Sequence, residues 1–123
     1  MQDTINAYLK ALEAGELHDI LDLFGDEAVV HSPLYGEQPA EDFFRTLLED
    51  TDHSILTPLR IFTGEEKKSG AAYFLYEWVL NNGAHASFPV VDIFDFDESG
   101  KIKALTIIYD TVSTRPAYRG KEG

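Results

Sequence analysis

The sequence predicts one α+β domain, in which three N-terminal helices pack on one face of a curved, mainly antiparallel sheet. Up to about Asp50, apolar residues recur at spacings of three and four, which is typical of amphipathic helices. From Leu56 onward they alternate with polar residues between turn-forming segments, which is typical of strands. With 123 residues the chain has the length of one domain. We expect the domain to span residues 1–114 and a flexible tail to span 115–123.

The three helices have recognisable ends. Gly15 ends the first and Gly25 ends the second, which starts directly after the first. Pro39 suits the first position of a third helix that runs to about Asp50. Between the second and third helices, AVVHS predicts a short strand that Pro33 breaks.

Four long strands are predicted in the second half: LTPLRIF, AAYFLYEWVL, AHASFPVVDIFDF and KIKALTIIYDTV. The segment NNG joins the middle two, and its Asn82-Gly83 pair is typical of a tight hairpin. AAYFLYEWVL is apolar on both faces. We expect one of its faces to lie on the outer face of the sheet, away from the helices, and to form a homodimer interface. The side chains of this face are Phe74, Tyr76 and Trp78.

The charge distribution limits the partners. The formal net charge is −12, and twelve acidic residues but a single basic one, Arg45, lie between Ala11 and Asp52. Nucleic acid is therefore not expected as a partner, because its binding depends on phosphate neutralisation by Lys and Arg. No apolar run approaches the ~20 residues of a membrane span, and the start MQDTINAY lacks the features of a secretory signal. We expect a cytoplasmic protein without a membrane partner.

Neither a metal nor a cofactor is expected. The sequence has no cysteine, and its histidines, at positions 18, 31, 53 and 85, show no paired ligand spacing. DFDESGKI resembles the start of a calcium-binding loop. Thr106, however, stands at the twelfth position, where a bidentate glutamate belongs. We interpret this segment as a hairpin turn.

Asp92 breaks the alternation of the segment FPVVDIFDFDESGK. In a strand, successive side chains point to opposite faces, so Asp92 shares a face with Phe88, Val90, Phe94 and Phe96. An unpaired charge on an apolar face is costly, so such a carboxyl group usually pairs, becomes neutral or has a function. Asp92 is therefore a candidate site residue.

The order of the elements, the opening Tyr8-x-x-x-Leu12-x-Ala14-Gly15, the following helix L-x-x-I-x-x-L-F and the ending VVDIFDFDESGKI resemble the nuclear transport factor two-like superfamily. This superfamily includes the SnoaL-like proteins and ketosteroid isomerase. The resemblance spans roughly residues 2 to 112 and implies a cone-shaped domain. Because such domains host isomerases, cyclases, dehydratases, hydrolases and adaptors, the fold alone does not define the chemistry.

Two donors of the isomerase family have counterparts in this chain. Tyr8 matches the family's oxyanion-hole tyrosine, and Asp92 matches its protonated aspartic acid. A neutral carboxyl group and a phenol can both donate to a carbonyl oxygen that acquires negative charge. The position of the family's catalytic base, an aspartate before a proline, corresponds to Ser32, before Pro33, so this base is absent. An unactivated hydroxyl is a very weak base. Ketosteroid isomerase activity is therefore not expected.

Other residues could supply what Ser32 lacks. His31 is adjacent, although strand alternation sends it to the opposite face. Glu77 shares a face with Tyr73 and Leu75, which we expect to line the cavity together with the residues Ser32, Val90, Phe94 and Tyr109. A count across the Asn-Gly turn places Tyr73 opposite Asp92, so a simple structural hydrogen bond between Asp92 and Tyr73 or Tyr8 is an alternative.

The leading hypothesis is a domain that binds a small, largely apolar carbonyl or phenol-like molecule, whose oxygen contacts Tyr8 and Asp92. Any chemistry would be proton transfer of the isomerase, cyclase or dehydratase kind, without a cofactor. Asp92 would act as acid or as acid and base, and Glu77 or His31 would supply what Ser32 cannot. The alternative is a non-catalytic dimeric interaction domain whose cavity is filled by its own side chains.

Overall fold

The computed structural model describes residues 1–112 and 114–122, apart from the side chains at positions 67 and 119–122. A one-turn 3₁₀ helix, Glu65–Lys67, precedes the fourth strand. The other elements, in chain order, are α1 (Gln2–Ala14), α2 (Leu17–Leu21), β1 (Phe24–Ser32), β2 (Gly36–Pro39), α3 (Ala40–Asp50), β3 (Thr51–Thr63), β4 (Ser69–Leu80), β5 (His85–Phe96), β6 (Ile102–Ile108) and α4 (Thr114–Glu122).

The six strands form one curved sheet in the order β2-β1-β6-β5-β4-β3. All neighbouring strands are antiparallel except β1 and β6, which are parallel because the chain returns to β1 from the far side of the sheet. Helices α1 and α3 bury their apolar stripes against the inner face, with Ile5, Tyr8 and Phe44 among the fully buried residues. The predicted α+β architecture, with helices on one face of a mainly antiparallel sheet, is confirmed.

Several element boundaries differ from the sequence prediction. Helix α2 ends at Leu21 instead of reaching Phe24, because Phe24 begins strand β1 and is buried there. Strand β3 begins at Thr51, directly after α3, instead of at Leu56. Gly15 ends α1 as predicted, with φ of 70° in the left-handed region that glycine adopts without strain.

The C-terminal segment is helical where a frayed tail was predicted. Thr114 and Ala117 of α4 are buried, and the Arg115 guanidinium donates to the carbonyl of Pro33 (3.0 Å). The Asn82 side chain donates to the carbonyl of Ala117 (3.4 Å). These contacts hold α4 against the body of the domain. Residue 123 lies outside the described residues, and the flexibility of the 115–123 segment stays a prediction.

The turn between β4 and β5 contains three residues, Asn81 to Gly83, instead of the two that the Asn-Gly pair predicts. Gly83 N donates to Leu80 O (3.0 Å), and Leu80 N donates to Ala84 O (2.9 Å). Gly83 has φ of 85°, so the loop combines a tight turn with a residue in the left-handed region, the usual form of a three-residue hairpin. The register of the whole hairpin is therefore shifted by one residue.

This shift reverses the two faces of β4. Ala72, and not Tyr73, pairs with Asp92, and a shift of one residue moves every side chain of a strand to the opposite face. Phe74, Tyr76 and Trp78 are consequently buried on the inner face, so the prediction that they form an outer dimer interface is wrong. The homodimer itself stays a prediction. Tyr73 and Leu75 are 38% and 39% exposed on the outer face.

None of the helices in residues 1–112 and 114–122 combines the length and the apolar character that crossing a bilayer requires.

Candidate ligand-binding site

A cavity of about 40 Å³ lies between helices α1 and α3 and the inner face of the sheet. Since one water molecule needs roughly 10–15 Å³ of such space, the cavity has room for about three. Among the described residues, its walls are largely aromatic and aliphatic, with a small number of hydroxyl groups and a single carboxyl group. The lining residues are Tyr8, Leu12, Ser32, Tyr35, Phe43, Leu47, Phe74, Tyr76, Trp78, Phe88, Val90, Asp92, Ile107 and Tyr109.

Asp92 lies on the inner face of β5, as the alternation predicts, with Val90 before it and Phe94 after it on the same face. The residue is only 1% exposed, and its Oδ1 has no hydrogen-bond partner among the described residues. Burial raises the pKa of the Asp92 carboxyl group well above its ordinary value of 3.8. Burial therefore favours the neutral form of this carboxyl group, which can donate a hydrogen bond into the cavity.

Tyr8 projects from α1 into the same cavity. Its ring makes edge-on contacts with three phenylalanines, Phe24, Phe44 and Phe94, at centroid distances of 6.0, 5.9 and 5.3 Å. Burial, and then the neighbouring Asp92 carboxyl group, raise the pKa of the Tyr8 phenol well above its ordinary value. The phenol therefore stays protonated and is a second donor. Tyr8 and Asp92, which the sequence paired only by resemblance, line one cavity.

Two further phenols lie near Asp92. Tyr109 lines the cavity as predicted, and burial raises the pKa of its phenol to about 12, although Thr114 and Arg115 lower it in part. Tyr76 also lines the cavity, and its ring stacks on that of Trp78 at 6.4 Å with an interplanar angle of 20°. Sequence reasoning missed Tyr76 because a two-residue turn was assumed; the third residue of NNG was the signal that could have revealed it.

Ser32 and Tyr35 lie at the wall that β1 contributes. Ser32 Oγ accepts a hydrogen bond from Tyr35 N (3.0 Å), which fixes the turn after β1. The Tyr35 hydroxyl donates to Asp50 Oδ2 (2.7 Å), and its ring lies 5.5 Å from that of Tyr118 in α4. Burial, followed by the bond to Asp50, raises the pKa of Tyr35. Tyr35, which the sequence did not single out, is thus held in place by both strand and helix contacts.

Five predicted site residues do not line the cavity: Phe94, described below, and four others. Tyr73, Leu75 and Glu77 are on the outer face of β4 because of the register shift, and Glu77 pairs with Ser87. The prediction that these three line the cavity is wrong. His31 Nδ1 lies 3.6 Å from Glu37 Oε2 across the β1–β2 pair and is not among the lining residues. Neither Glu77 nor His31 is therefore in a position to act as the base.

Phe94 has a supporting position. It is fully buried and packs against the Tyr8 ring, but it is not one of the residues that line the open space. Phe94 is therefore not a lining residue of the cavity, and its direct contact with a ligand stays a prediction. Val90, by contrast, lies in the cavity wall as predicted.

The DFDESGKI segment forms the turn between β5 and β6. Asp97 Oδ1 accepts hydrogen bonds from Ser99 N (2.9 Å), Ser99 Oγ (2.7 Å) and Lys101 N (3.0 Å). The carboxylate at the third position of the calcium-loop pattern therefore stabilises its own turn.

Comparison with known proteins identifies the family. The family model described as SnoaL-like domain matches residues 5–105. The chain belongs to the SnoaL-like domain family. This membership confirms the resemblance to nuclear transport factor two-like and ketosteroid isomerase-like proteins that the sequence indicated.

Solved structures share the fold at low identity. A protein of unknown function from Burkholderia pseudomallei, described as NTF2-like, is similar with a TM-score of 0.81 and 16% identity over 94% of this chain and 95% of that one. A putative polyketide cyclase from Pseudomonas putida is similar with a TM-score of 0.79 and 19% identity over 93% and 94%. The epoxide hydrolase/cyclase-like enzyme SalBIII, described in pyran ring formation in the polyether salinomycin, has a TM-score of 0.79 and 16% identity over 91% and 92%.

Proposed function

We propose that this SnoaL-like domain binds a small, largely apolar molecule that carries a carbonyl or phenol oxygen, and that Tyr8 and a neutral Asp92 donate hydrogen bonds to that oxygen. The observation that supports the proposal is the Oδ1 atom of Asp92, which is buried in an apolar cavity without a partner among the described residues. Buried polar groups are nearly always satisfied in folded proteins, so an unsatisfied one at a cavity wall favours a ligand or a water molecule there.

The chemistry of the walls supports the choice of ligand. Aromatic rings of residues such as Phe88 and Trp78 favour a flat apolar body. Tyr8 and Asp92 are donors in their neutral forms, and such donors suit a carbonyl oxygen, a phenolate or an enolate. Among the described lining residues, Asp92 is the sole carboxyl group and Ser32 stands where a base would be needed. The proposal is therefore binding, with acid-assisted chemistry of the cyclase or dehydratase kind as the form that catalysis would take.

The size of the cavity favours a second candidate. At about 40 Å³ it is far smaller than the roughly 300–1,000 Å³ of pockets for drug-sized ligands. A domain whose cavity is filled by its own aromatic side chains could act only through its surface. The two candidates differ in one respect: binding of a ring-sized molecule requires a cavity wall to move, whereas a filled interaction domain excludes every such molecule.

Native mass spectrometry and thermal unfolding with phenols and cyclic ketones separate these candidates. We expect a bound small molecule or a rise in Tm that grows with ligand concentration, since a ligand that binds only the folded state stabilises it by mass action. The same ligands should leave the Tm of Asp92→Leu much less affected. The absence of both a bound species and a shift for every phenol and ketone would favour the filled interaction domain.

A further inference from the structure

A second pocket lies on the other side of the cavity wall. It has a volume of about 210 Å³ and is formed by the end of α1, the end of α3 and the first residues of β3. We call it the outer pocket, and its lining residues are Leu12, Glu13, Ala14, Gly15, Leu48, Thr51, Asp52, His53, Ser54 and Tyr76. In contrast to the central cavity, it carries polar and charged side chains.

Only one layer of side chains separates the two spaces. Leu12 and Tyr76 line both the central cavity and the outer pocket. The Tyr76 ring faces Trp78 and Phe88 on the cavity side, while its phenol interacts with the Ser54 hydroxyl on the side of the outer pocket. A rotation of this one side chain would break its ring contacts and its interaction with Ser54, but no ion pair. Such a rotation would join the two spaces and provide the room that the central cavity lacks.

The charge of the outer pocket selects the group that can occupy it. Glu13 and Asp52 contribute carboxylates, and none of its lining residues in the described part of the chain is Lys or Arg. Glu13 Oε1 accepts a hydrogen bond from Leu56 N (3.0 Å), and Asp52 Oδ2 lies 2.6 Å from His53 Nδ1. Each carboxylate therefore has a second oxygen that these bonds do not use. While His53, which also lines the pocket, is neutral, such a site attracts a cation and repels an anion.

We propose that the outer pocket is a second binding subsite, continuous with the central cavity when Tyr76 rotates. It takes the ammonium group of an arylalkylamine whose oxygen binds at Tyr8 and Asp92. This inference rests on the proposed function and names its substrate class: phenols or aryl ketones that carry a short basic side chain. The apolar ring would lie between the two polar ends, against the residues that Tyr76 now covers.

Three probes with the same phenol ring test the inference. Tyramine, 4-ethylphenol and 3-(4-hydroxyphenyl)propionate carry a positive, a neutral and a negative tail. Trp78 is the sole tryptophan of the chain and lines the central cavity, so its fluorescence reports the phenol end. We expect tyramine to bind most tightly and the propionate least tightly. Asp52→Asn and Glu13→Gln should each weaken tyramine about threefold, the scale of an exposed charge pair, and leave 4-ethylphenol unchanged.

Two controls make the result specific. Asp95→Asn makes the same charge change on β5, outside both pockets, and so measures the general attraction of an acidic protein for cations. It should leave the preference for tyramine over 4-ethylphenol nearly unchanged. Tyr8→Phe should weaken tyramine and 4-ethylphenol alike if one molecule spans both spaces.

The possible outcomes separate the inference from the proposed function. If 4-ethylphenol binds but tyramine shows no advantage, or if Asp95→Asn reduces that advantage as much as Asp52→Asn does, the outer subsite is refuted while the proposed function stands. An affinity for tyramine that is unchanged in Tyr8→Phe would also overturn the inference that one molecule spans both spaces. If no probe perturbs Trp78, the proposed function fails, and this inference fails with it.

Discussion

Tyr76 lies directly opposite Phe88 in the β4–β5 ladder, with ring centroids 5.6 Å apart, so both rings belong to the wall of the cavity. This pairing results from the three-residue turn at Asn81 to Gly83 and fixes the inner face of β4. The aromatic rings that could have served a surface are consequently the ones that enclose the Asp92 carboxyl group.

Trp78→Ala tests that arrangement through stability. Trp78 is 2% exposed and its Nε1 donates to Thr51 Oγ1 (2.7 Å), so truncation removes both packing and a hydrogen bond. We expect the free energy of unfolding to fall by about 3–5 kcal/mol. Leu75→Ala, on the outer face, should lower it by less than about 1 kcal/mol. Urea denaturation followed by circular dichroism measures both, and a dimer that dissociates in Trp78→Ala without loss of fold stability would contradict the register.

Gly83→Ala tests the turn. Gly83 has φ of 85°, and a Cβ at this position would meet no atom within 4 Å, so the substitution adds backbone strain without a clash. We expect a loss of about 1 kcal/mol in the free energy of unfolding. Gly83→Asn should cost less, since asparagine tolerates the left-handed region better than alanine does. Equal stability of the glycine and alanine forms in denaturant titration would show that residue 83 does not adopt this conformation.

The sequence was sufficient to predict the fold and the residues on the inner face of β5. It was insufficient to predict which residues of β4 face inward. Alternation placed Asp92 correctly because the large apolar residues Phe88, Phe94 and Phe96 share its face of β5. The opposite face also carries polar residues, such as Ser87 and Asp95. Strand β4 is apolar on both faces, so its orientation depended on the turn, where one residue more or less reverses every side chain. The predicted faces of Tyr76 and Glu77 were wrong because the predicted turn was one residue too short. The hydrophobicity of β4 alone could not correct them.

The buried Asp92 carboxyl group should make stability depend on pH. Because burial raises its folded-state pKa above the ordinary 3.8, the folded state binds the proton more tightly than the unfolded state does. The stabilising contribution of that proton is complete below 3.8 and is lost as pH rises toward the raised folded-state pKa, at about 1.4 kcal/mol per pH unit.

Asp92→Asn removes this dependence, because its amide does not titrate. We expect the variant to be more stable than the wild type at pH 7 and close to it at about pH 3.5, as measured by the difference in unfolding free energy across the two pH values. Asp95→Asn, a matched change on the same strand but outside the cavity, is the control. A difference between Asp92→Asn and wild type that stays constant with pH would mean that Asp92 is ionised in the folded protein.

Ser32→Asp tests whether the two donors are placed for catalysis. Ser32 lines the cavity that Tyr8 and Asp92 share, so a carboxylate there would supply the missing base. A positioned general base typically contributes about 10²–10⁴-fold, and we expect at least about a hundredfold gain over wild type in the isomerisation of 3-cyclohexenone to its conjugated isomer. The absorbance of the conjugated enone measures the rate. The gain should disappear in Ser32→Asp combined with Asp92→Leu; a gain that survives the second substitution would show that the donors are not used.

The central claim is that Tyr8 and Asp92 hold the oxygen of a bound molecule, and equilibrium titration with 4-ethylphenol, followed by the fluorescence of Trp78, tests it most directly. Each neutral hydrogen bond contributes about 0.5–1.5 kcal/mol, so Tyr8→Phe and Asp92→Leu should each raise the Kd by about two- to tenfold. Asp95→Leu, the same chemical change on the outer side of β5, should leave the Kd unchanged. A Kd that is the same in wild type, Tyr8→Phe and Asp92→Leu would contradict the account.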